Sequence, residues 1–357
     1  MKLRRSGLMH FKKISQRIAI GMGVGMGASV GLAAAGIAAF RKRQIDLTNQ
    51  VVLITGGSRG LGLAIAQEFG KRRCRLAICA RDEEELNRAR VQLESAGREV
   101  LTVPGDVSDP SSIRNMFTAV REHYGRIDIL VNNAGQIRVG PLGNLTAADF
   151  EQALSVMFWG TVYSTLEVLP LMREQGGGRI VNVTSIGGKV STPHLLAYSC
   201  AKAAAIAFSE GLRSEASRDG IHVTTVVPGL MRTGSNVNAI FKGKQEEESA
   251  WFGIAAALPF LSIPASRAAR GIVCAVRRGT SETILGIPAV VLAKAYAMCP
   301  GTMSRVLTIV NSLLPSPTPG ASSEETGLQL EPSHGSLYHF LTTLNRKAGR
   351  QLNQPVA

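Results

Sequence analysis

From Asp46 onward, apolar runs of about five residues alternate with longer amphipathic stretches, and this alternation constrains the fold more than any other feature of the chain. The runs at 51–55, 75–79, 100–103, 127–131, 179–184 and 222–227 predict strands, with helices between them. Short apolar strands that lack internal polar alternation predict a sheet covered on both faces. Strands separated by helices predict right-handed βαβ units, hence an α/β fold around a parallel sheet.

The first predicted strand runs straight into Thr55-Gly56-Gly57-Ser58-Arg59-Gly60-Leu61-Gly62, and a helix-like stretch follows. Gly56, Gly60 and Gly62 suit a tight bend, close approach of backbone to a pyrophosphate, and tight helix-on-strand packing. The helix start would then offer unpaired N–H groups to phosphates. A glycine turn between a strand and a helix therefore points to a dinucleotide site.

Three further motifs extend this. They are Asn132-Asn133-Ala134-Gly135 after the fourth strand, Tyr198-xxx-Lys202, and Pro228-Gly229 after the sixth. Together with the glycine turn, in this order and spacing, they resemble the short-chain dehydrogenases/reductases over about residues 47–285. The resemblance implies a Rossmann-like, doubly wound parallel sheet whose cofactor and substrate sites share one edge. It implies that Gly56, Ser58, Arg59, Gly60, Leu61 and Gly62 bind the cofactor at the turn. Asp106 and Val107 would lie by the adenine, and Asn133, Ala134 and Gly135 by the nicotinamide ribose. Tyr198, Lys202, Pro228, Gly229 and Thr233 would complete the cofactor set. It also suggests a homodimer or homotetramer built through the helices carrying Met157 and Tyr198.

The second strand bears on which cofactor binds. An NAD site usually places an acid at its end to accept hydrogen bonds from the ribose 2′-hydroxyl. That position here is Ala80, followed by Arg81, whose planar cation suits a 2′-phosphate. Arg59 could reach the same group, so NADP(H) is the expected cofactor. Asp82 lies 20 residues beyond Gly62, but Asp82-Glu83-Glu84-Glu85 before Leu86 has the spacing of a helix cap.

Tyr198 and Lys202 are four apart and share a helix face. Ser185 precedes Tyr198 by 13 residues, the separation usual in the family. A tyrosine near pKa 10 is a poor base at neutral pH. The Lys202 cation and a positive nicotinamide ring would lower it. Tyr198 would then be the acid/base, Ser185 would hold the carbonyl oxygen, and Lys202 would also bind the ribose. The expected reaction interconverts a ketone or aldehyde and an alcohol. One position departs from the family. Where many members carry an asparagine three residues before a glycine, this chain has Met157 before Gly160. A thioether orients a relay water poorly, so the alternative is a non-catalytic NADP(H)-binding regulatory or scaffold protein.

Charge locates a second function. Nine of the 40 Lys and Arg lie in residues 1–43 with no acid, leaving 31 bases against 26 acids, about +5, in the remainder. That distribution, without a groove-reading motif, argues against nucleic-acid binding. It favours a membrane, because the basic clusters bracket 23 uncharged residues, 18–40, long enough as a helix to cross about 30 Å of hydrocarbon. Six bases precede this segment and three follow it, favouring an inside N-terminus and an outside enzyme, and cofactor supply in a bacterium argues the other way. NADPH supply favours a cytoplasm-facing enzyme, with the lumenal face of the endoplasmic reticulum as alternative. The expected domains are an anchor segment 1–45, a catalytic domain 46–286, an apolar helical extension 287–314 and a tail 315–357.

The five cysteines show no paired spacing, so neither a metal site nor a disulfide framework is expected. Loops 136–140, 187–196 and 229–261 should cover the substrate. The last carries Met231, Phe241, Trp251, Phe252 and Phe260, which suggests an apolar, lipid-like carbonyl compound. His194 and His222 read as loop and strand residues. The tail is rich in Pro, Ser and Gly and is expected to be mobile, apart from a short helix near 337–347.

Overall fold

Strand β1 (Val51–Thr55) is buried along its whole length, as a Val-Val-Leu-Ile-Thr run between two helical layers must be. The computed structural model of the chain describes residues 44–320 and 323–355. The expected anchor at 18–40 lies outside the described residues. After β1 come α1 (Gly60–Gly70), β2 (Arg75–Ala80), α2 (Glu83–Glu94), β3 (Val100–Pro104), α3 (Pro110–Tyr124) and β4 (Ile129–Asn132). The second half begins with β5 (Arg138–Val139) and α4 (Ala147–Leu154). A π-turn at Ser155–Trp159 joins α4 to α5 (Gly160–Glu174), followed by β6 (Gly178–Val183), α6 (Leu196–Ala216) and β7 (Ile221–Pro228).

Seven strands form one parallel sheet in the order β11-β7-β6-β4-β1-β2-β3, with β11 at Glu282–Leu285. The chain leaves β1 towards β2 and β3 on one side, then returns to its other side at β4. This reversal opens a crevice at the carboxyl ends of β1 and β4. Each of the six main expected strands lies within two residues of its place, and β11 adds a seventh at the sheet's edge. Asp82 caps α2, accepting from the Glu85 N–H at 2.8 Å, as its position in the acidic run predicts. The main core packs Leu53, Ala77, Leu130, Ile180 and Val223 of the sheet against α3 (Ile113, Met116, Phe117) and α5 (Val168, Met172). Each Leu, Ile, Val, Phe or Met among them contributes roughly 1.5–3 kcal/mol on burial.

Between β7 and β11 lie β8 (Leu230–Arg232), β9 (Ile240–Lys242), α7 (Gln245–Ala257), β10 (Ser262–Pro264) and α8 (Ala265–Arg278). Beyond β11 come α9 (Ile287–Met298), α10 (Pro300–Ser312), β12 (Glu324–Thr326), α11 (Gly327–Leu330), α12 (Ser336–Leu341) and α13 (Thr343–Gln351). The described residues from Asp46 on belong to one compact unit.

Two expectations are corrected here. Residues 324–355 are not a loose tail. They add β12 antiparallel to β9 and dock α11–α13 on the domain. Composition concealed this because the segment is held by side-chain pairing with residues more than a hundred positions away, Asn345 with Asn236 for example. Phe241, Trp251 and Phe252 of the stretch 229–261 are also used structurally, whereas Phe260 is exposed. Phe241 and Phe252 form a second small core with Val139, Ala239 and Leu330, and Trp251 packs against it.

A buried ionic cluster holds this second core. Asp149 binds Lys242 at 2.8 Å and pairs with Arg138, which also pairs with Glu324 at 2.6 Å. Burial opposes ionisation of Asp149. The Lys242 ammonium, the Thr146 N–H and the Arg138 charge outweigh it and hold this carboxyl below its ordinary value. Among the described residues, one helical stretch, Ala147–Glu174, is long and apolar enough to cross a membrane. Its buried face, Ser164, Thr165, Val168 and Met172, packs into the domain.

Candidate active site

The glycine turn is shaped by close contacts. A Cβ on Gly62 would overlap the carbonyl oxygen of Gly56, and Gly56 itself has φ +63°. Asn133 stitches this turn to the end of β4. Its amide donates to the carbonyls of Thr55 (3.1 Å) and Gly56 (3.0 Å), and its N–H donates to Thr55 Oγ1 at 3.0 Å. The first strand, the turn and the fourth strand thus form one rigid corner.

Below that corner is a cavity of about 610 Å³. Gly56, Ser58, Arg59, Gly60, Leu61, Gly62, Arg81, Asp106, Val107, Asn133, Ala134, Gly135, Tyr198, Lys202 and Thr233 all line it. Its depth, its α1 N-terminus and the missing Cβ atoms fit a dinucleotide. Ser185, Pro228 and Gly229 are not part of this lining. Ser185 reaches the cleft through a hydrogen bond with Tyr198. Pro228 pairs with Leu285 across β7 and β11, and the Gly229 N–H donates to the Leu285 carbonyl at 2.9 Å, so both serve the sheet.

At the reactive end, Ser185 caps a short helical turn, its Oγ accepting from the Gly187 N–H at 3.1 Å. Tyr198 and Lys202 project from the first turns of α6, with Lys202 Nζ 5.9 Å from the Tyr198 ring centroid. Nζ donates to the Val183 carbonyl at 2.8 Å. Burial lowers the Lys202 ammonium to about 8. It pushes the Tyr198 phenol above its ordinary value, while the Ser185 hydrogen bond pulls it back. The expected lowering of Tyr198 counted on a positive nicotinamide ring as well as on Lys202, whose Nζ lies 5.9 Å from the phenol ring centroid.

Met157 is buried in the π-turn, at the place where the family's asparagine was expected. A side-chain carbon added at Gly135 would stand 3.6 Å from Met157 Sδ and 3.7 Å from Lys202 Nζ, so thioether and ammonium flank one spot. A π-turn inserted into a long helix often marks a functional site.

The opposite end of the cleft carries mixed charge. β2 ends in Ala80 without a carboxylate, and Arg81 is largely exposed, 3.9 Å from Asp106. Arg59, however, is ion-paired with Glu85, which also accepts from Ser58 Oγ at 3.1 Å. Sequence reasoning missed Glu85 as a cleft residue. Its spacing from Asp82 signalled the cap, and nothing local signalled that its side chain would turn back to Arg59.

Gln354 also lines the cleft and was missed, as was a buried network in which Glu248 binds His194 and Trp251, each at 2.7 Å. His194 has φ +62°, and this conformation aims its ring at Glu248. Of the five apolar residues expected over the substrate, only Met231 lines the cavity. Among the described residues, no group of three or more His, Cys, Asp or Glu is placed to hold a metal. Cys74 and Cys79 are buried and their thiols are pushed up to about 12 by burial, whereas Cys200 and Cys299 are exposed.

Comparison with known proteins agrees with this geometry. The chain is 40% identical over 200 residues to a dehydrogenase/reductase SDR family protein 7-like of Anopheles gambiae, covering 54% of this chain and 63% of the relative. It is 36% identical over 203 residues to 11-beta-hydroxysteroid dehydrogenase 1A of Arabidopsis thaliana, covering 56% and 58%. The chain thus spans about 60% of the length of these relatives. L-sorbose reductase of Gluconobacter frateurii, solved with NADPH and L-sorbose, superposes with TM-score 0.61 and 27% identity, over 68% of this chain and 97% of that one. Residues 50–242 match the family profile described as short chain dehydrogenase, and the chain belongs to that family.

Proposed function

We propose that the chain is an NADP(H)-dependent oxidoreductase that interconverts an apolar ketone or aldehyde and the corresponding alcohol. The observation that carries this is the convergence of Ser185, Tyr198 and Lys202 at one end of a cleft whose other end is the glycine turn. A bound nicotinamide cofactor would supply or accept the hydride. Gly56 to Gly62 would hold its phosphates, and Asn133, Ala134 and Gly135 its ribose. During reduction the Tyr198 hydroxyl gives its proton to the carbonyl oxygen, and in the reverse direction it takes one back. Ser185 donates a hydrogen bond to the same oxygen. Lys202 holds the ribose hydroxyls, and its charge beside a positive ring is what would bring the buried phenol down into a useful range. Ala80 and the exposed Arg81 support NADP(H) over NAD(H).

The hydroxysteroid dehydrogenase relative and Met231 in the cleft support an apolar substrate. Association with a membrane, through 18–40, is supported by α9 and α10. They expose Ile287, Val291, Met298 and Ile309, with Leu313 just beyond, within a stretch, 283–323, that has no acid. We read the domain as cytoplasm-facing. Trp159 and Leu166, exposed on or beside α5, support a homo-oligomer.

The test is NADPH consumption by the detergent-solubilised chain across ketones and aldehydes of increasing chain length, with Tyr198→Phe as control. Turnover that rises with apolar size and falls on the order of 10²–10⁴-fold in the variant is expected. A second reading, an NADP(H)-binding regulatory protein without turnover, rests on Met157. It takes over if the cofactor binds and no carbonyl compound is consumed.

A further inference from the structure

Residues 349–354 join three parts of the cleft wall that are far apart in sequence. The Gly60 N–H, in the glycine turn, donates to the Leu352 carbonyl at 2.9 Å. The Asn353 amide donates to the carbonyls of Ser58 (2.8 Å) and Glu85 (2.9 Å), tying the turn to the start of α2. Gln354 crosses to the loop after β7. Its amide donates to the Thr233 carbonyl at 3.2 Å and accepts from Asn238 at 2.5 Å, and the residue lines the cleft.

The local geometry commits the segment to this path. Asn353 has φ +57°, a left-handed conformation that asparagine tolerates better than most residues. Its amide can thereby reach backward to the turn while Gln354 faces the cavity. Upstream, Asn345 accepts from the Gly234 N–H at 2.8 Å, and Gly349 lies flat on Gly234. No apolar side chain carries these contacts at 353 and 354. They are polar, and each ends on an element that surrounds the dinucleotide.

We propose that residues 349–354 are a latch across the dinucleotide cleft, with Gln354 as a cofactor-facing residue and Asn353 as the residue that positions it. This rests on the reading of the cleft as an NADP(H) site. Turn, α2 and the post-β7 loop enclose the cavity from three sides, and the latch fastens all three, so the cofactor leaves when the latch lifts.

The test uses the full chain in detergent. NADPH and NADH binding to the wild type is measured first by fluorescence titration. Release of the bound cofactor is then followed by stopped flow in the wild type and in the Asn353→Ala/Gln354→Ala double variant. Release about tenfold faster and correspondingly weaker binding are expected on loss of the latch hydrogen bonds. Independently of any variant, NADPH should slow tryptic cleavage of the wild type after Arg346, Lys347 and Arg350. Equal release rates, tighter binding by the variant, or cleavage indifferent to NADPH would overturn the latch while leaving the cofactor reading intact. A wild type that binds neither dinucleotide would overturn both.

Discussion

The dinucleotide corner and the lid-and-tail region are built by different means. From β1 to β4, several residues that shape the cleft are placed by near neighbours in sequence or by the strand end they sit on. Gly62 packs on Gly56, Asp82 caps Glu85, and Asn133 follows directly on the strand it completes. From β8 to Gln354, shape comes from pairs that are distant in sequence. Arg138 meets Glu324, His194 meets Glu248, and Asn236 meets Asn345. The lesson is that a locally specified site can be read from one chain, and a site closed by distant polar pairs cannot.

This contrast can be broken or sharpened by substitution. The largest effect is expected in the corner. Gly62→Ala would force a Cβ into the Gly56 carbonyl and should cost about 4 kcal/mol or more of stability, together with cofactor binding. Thermal melts and NADPH titration check it. A mild phenotype would show that the corner is more plastic than its contacts imply.

The next effect falls in the distant-pair region. Asp149→Asn removes the buried partner shared by Lys242 and Arg138, and should cost about 3 kcal/mol. Because its folded carboxyl sits below the ordinary 3.8, the stabilisation is present above that value and is lost as pH falls below it. Denaturant midpoints should therefore fall less steeply below pH 4 in the variant than in the wild type.

Arg81→Ala should weaken NADPH about tenfold and leave NADH unchanged, read from the ratio of the two dissociation constants. An equal loss for both cofactors would place Arg81 outside any 2′-phosphate contact. Met157→Asn is the smallest, a change of a few-fold in turnover with a shifted pH profile, since only a relay water is at stake. An unchanged profile would show that the thioether costs the reaction nothing.

How much was legible follows the same division. The strands were readable because runs such as Val51–Thr55 are apolar on both faces and flanked by amphipathic helices. Tyr198 and Lys202 were singled out by the resemblance to the short-chain dehydrogenases/reductases, and their four-residue spacing places them on one helix face. Glu85 was half readable, since its spacing from Asp82 announces a cap and not an ion pair with Arg59. Phe241 and Phe252 misled because an aromatic residue in a lid has the same composition whether it faces a ligand or a second core. Asn353 left no trace at all, since a polar side chain gives no periodic signal and its partner, Ser58, is 295 residues away.

That separation also bears on how the domain assembles. Closing a loop of nearly three hundred residues is entropically late, whereas β1 finds β2 and β4 across spans from 24 to 77 residues. The parallel sheet can therefore be complete while the Ser58–Asn353 bond is still unmade. Folding then passes through a stage with an open pocket, and NADPH present at that stage would be enclosed by the last step of assembly. Refolding with and without cofactor should differ at that final, slow phase.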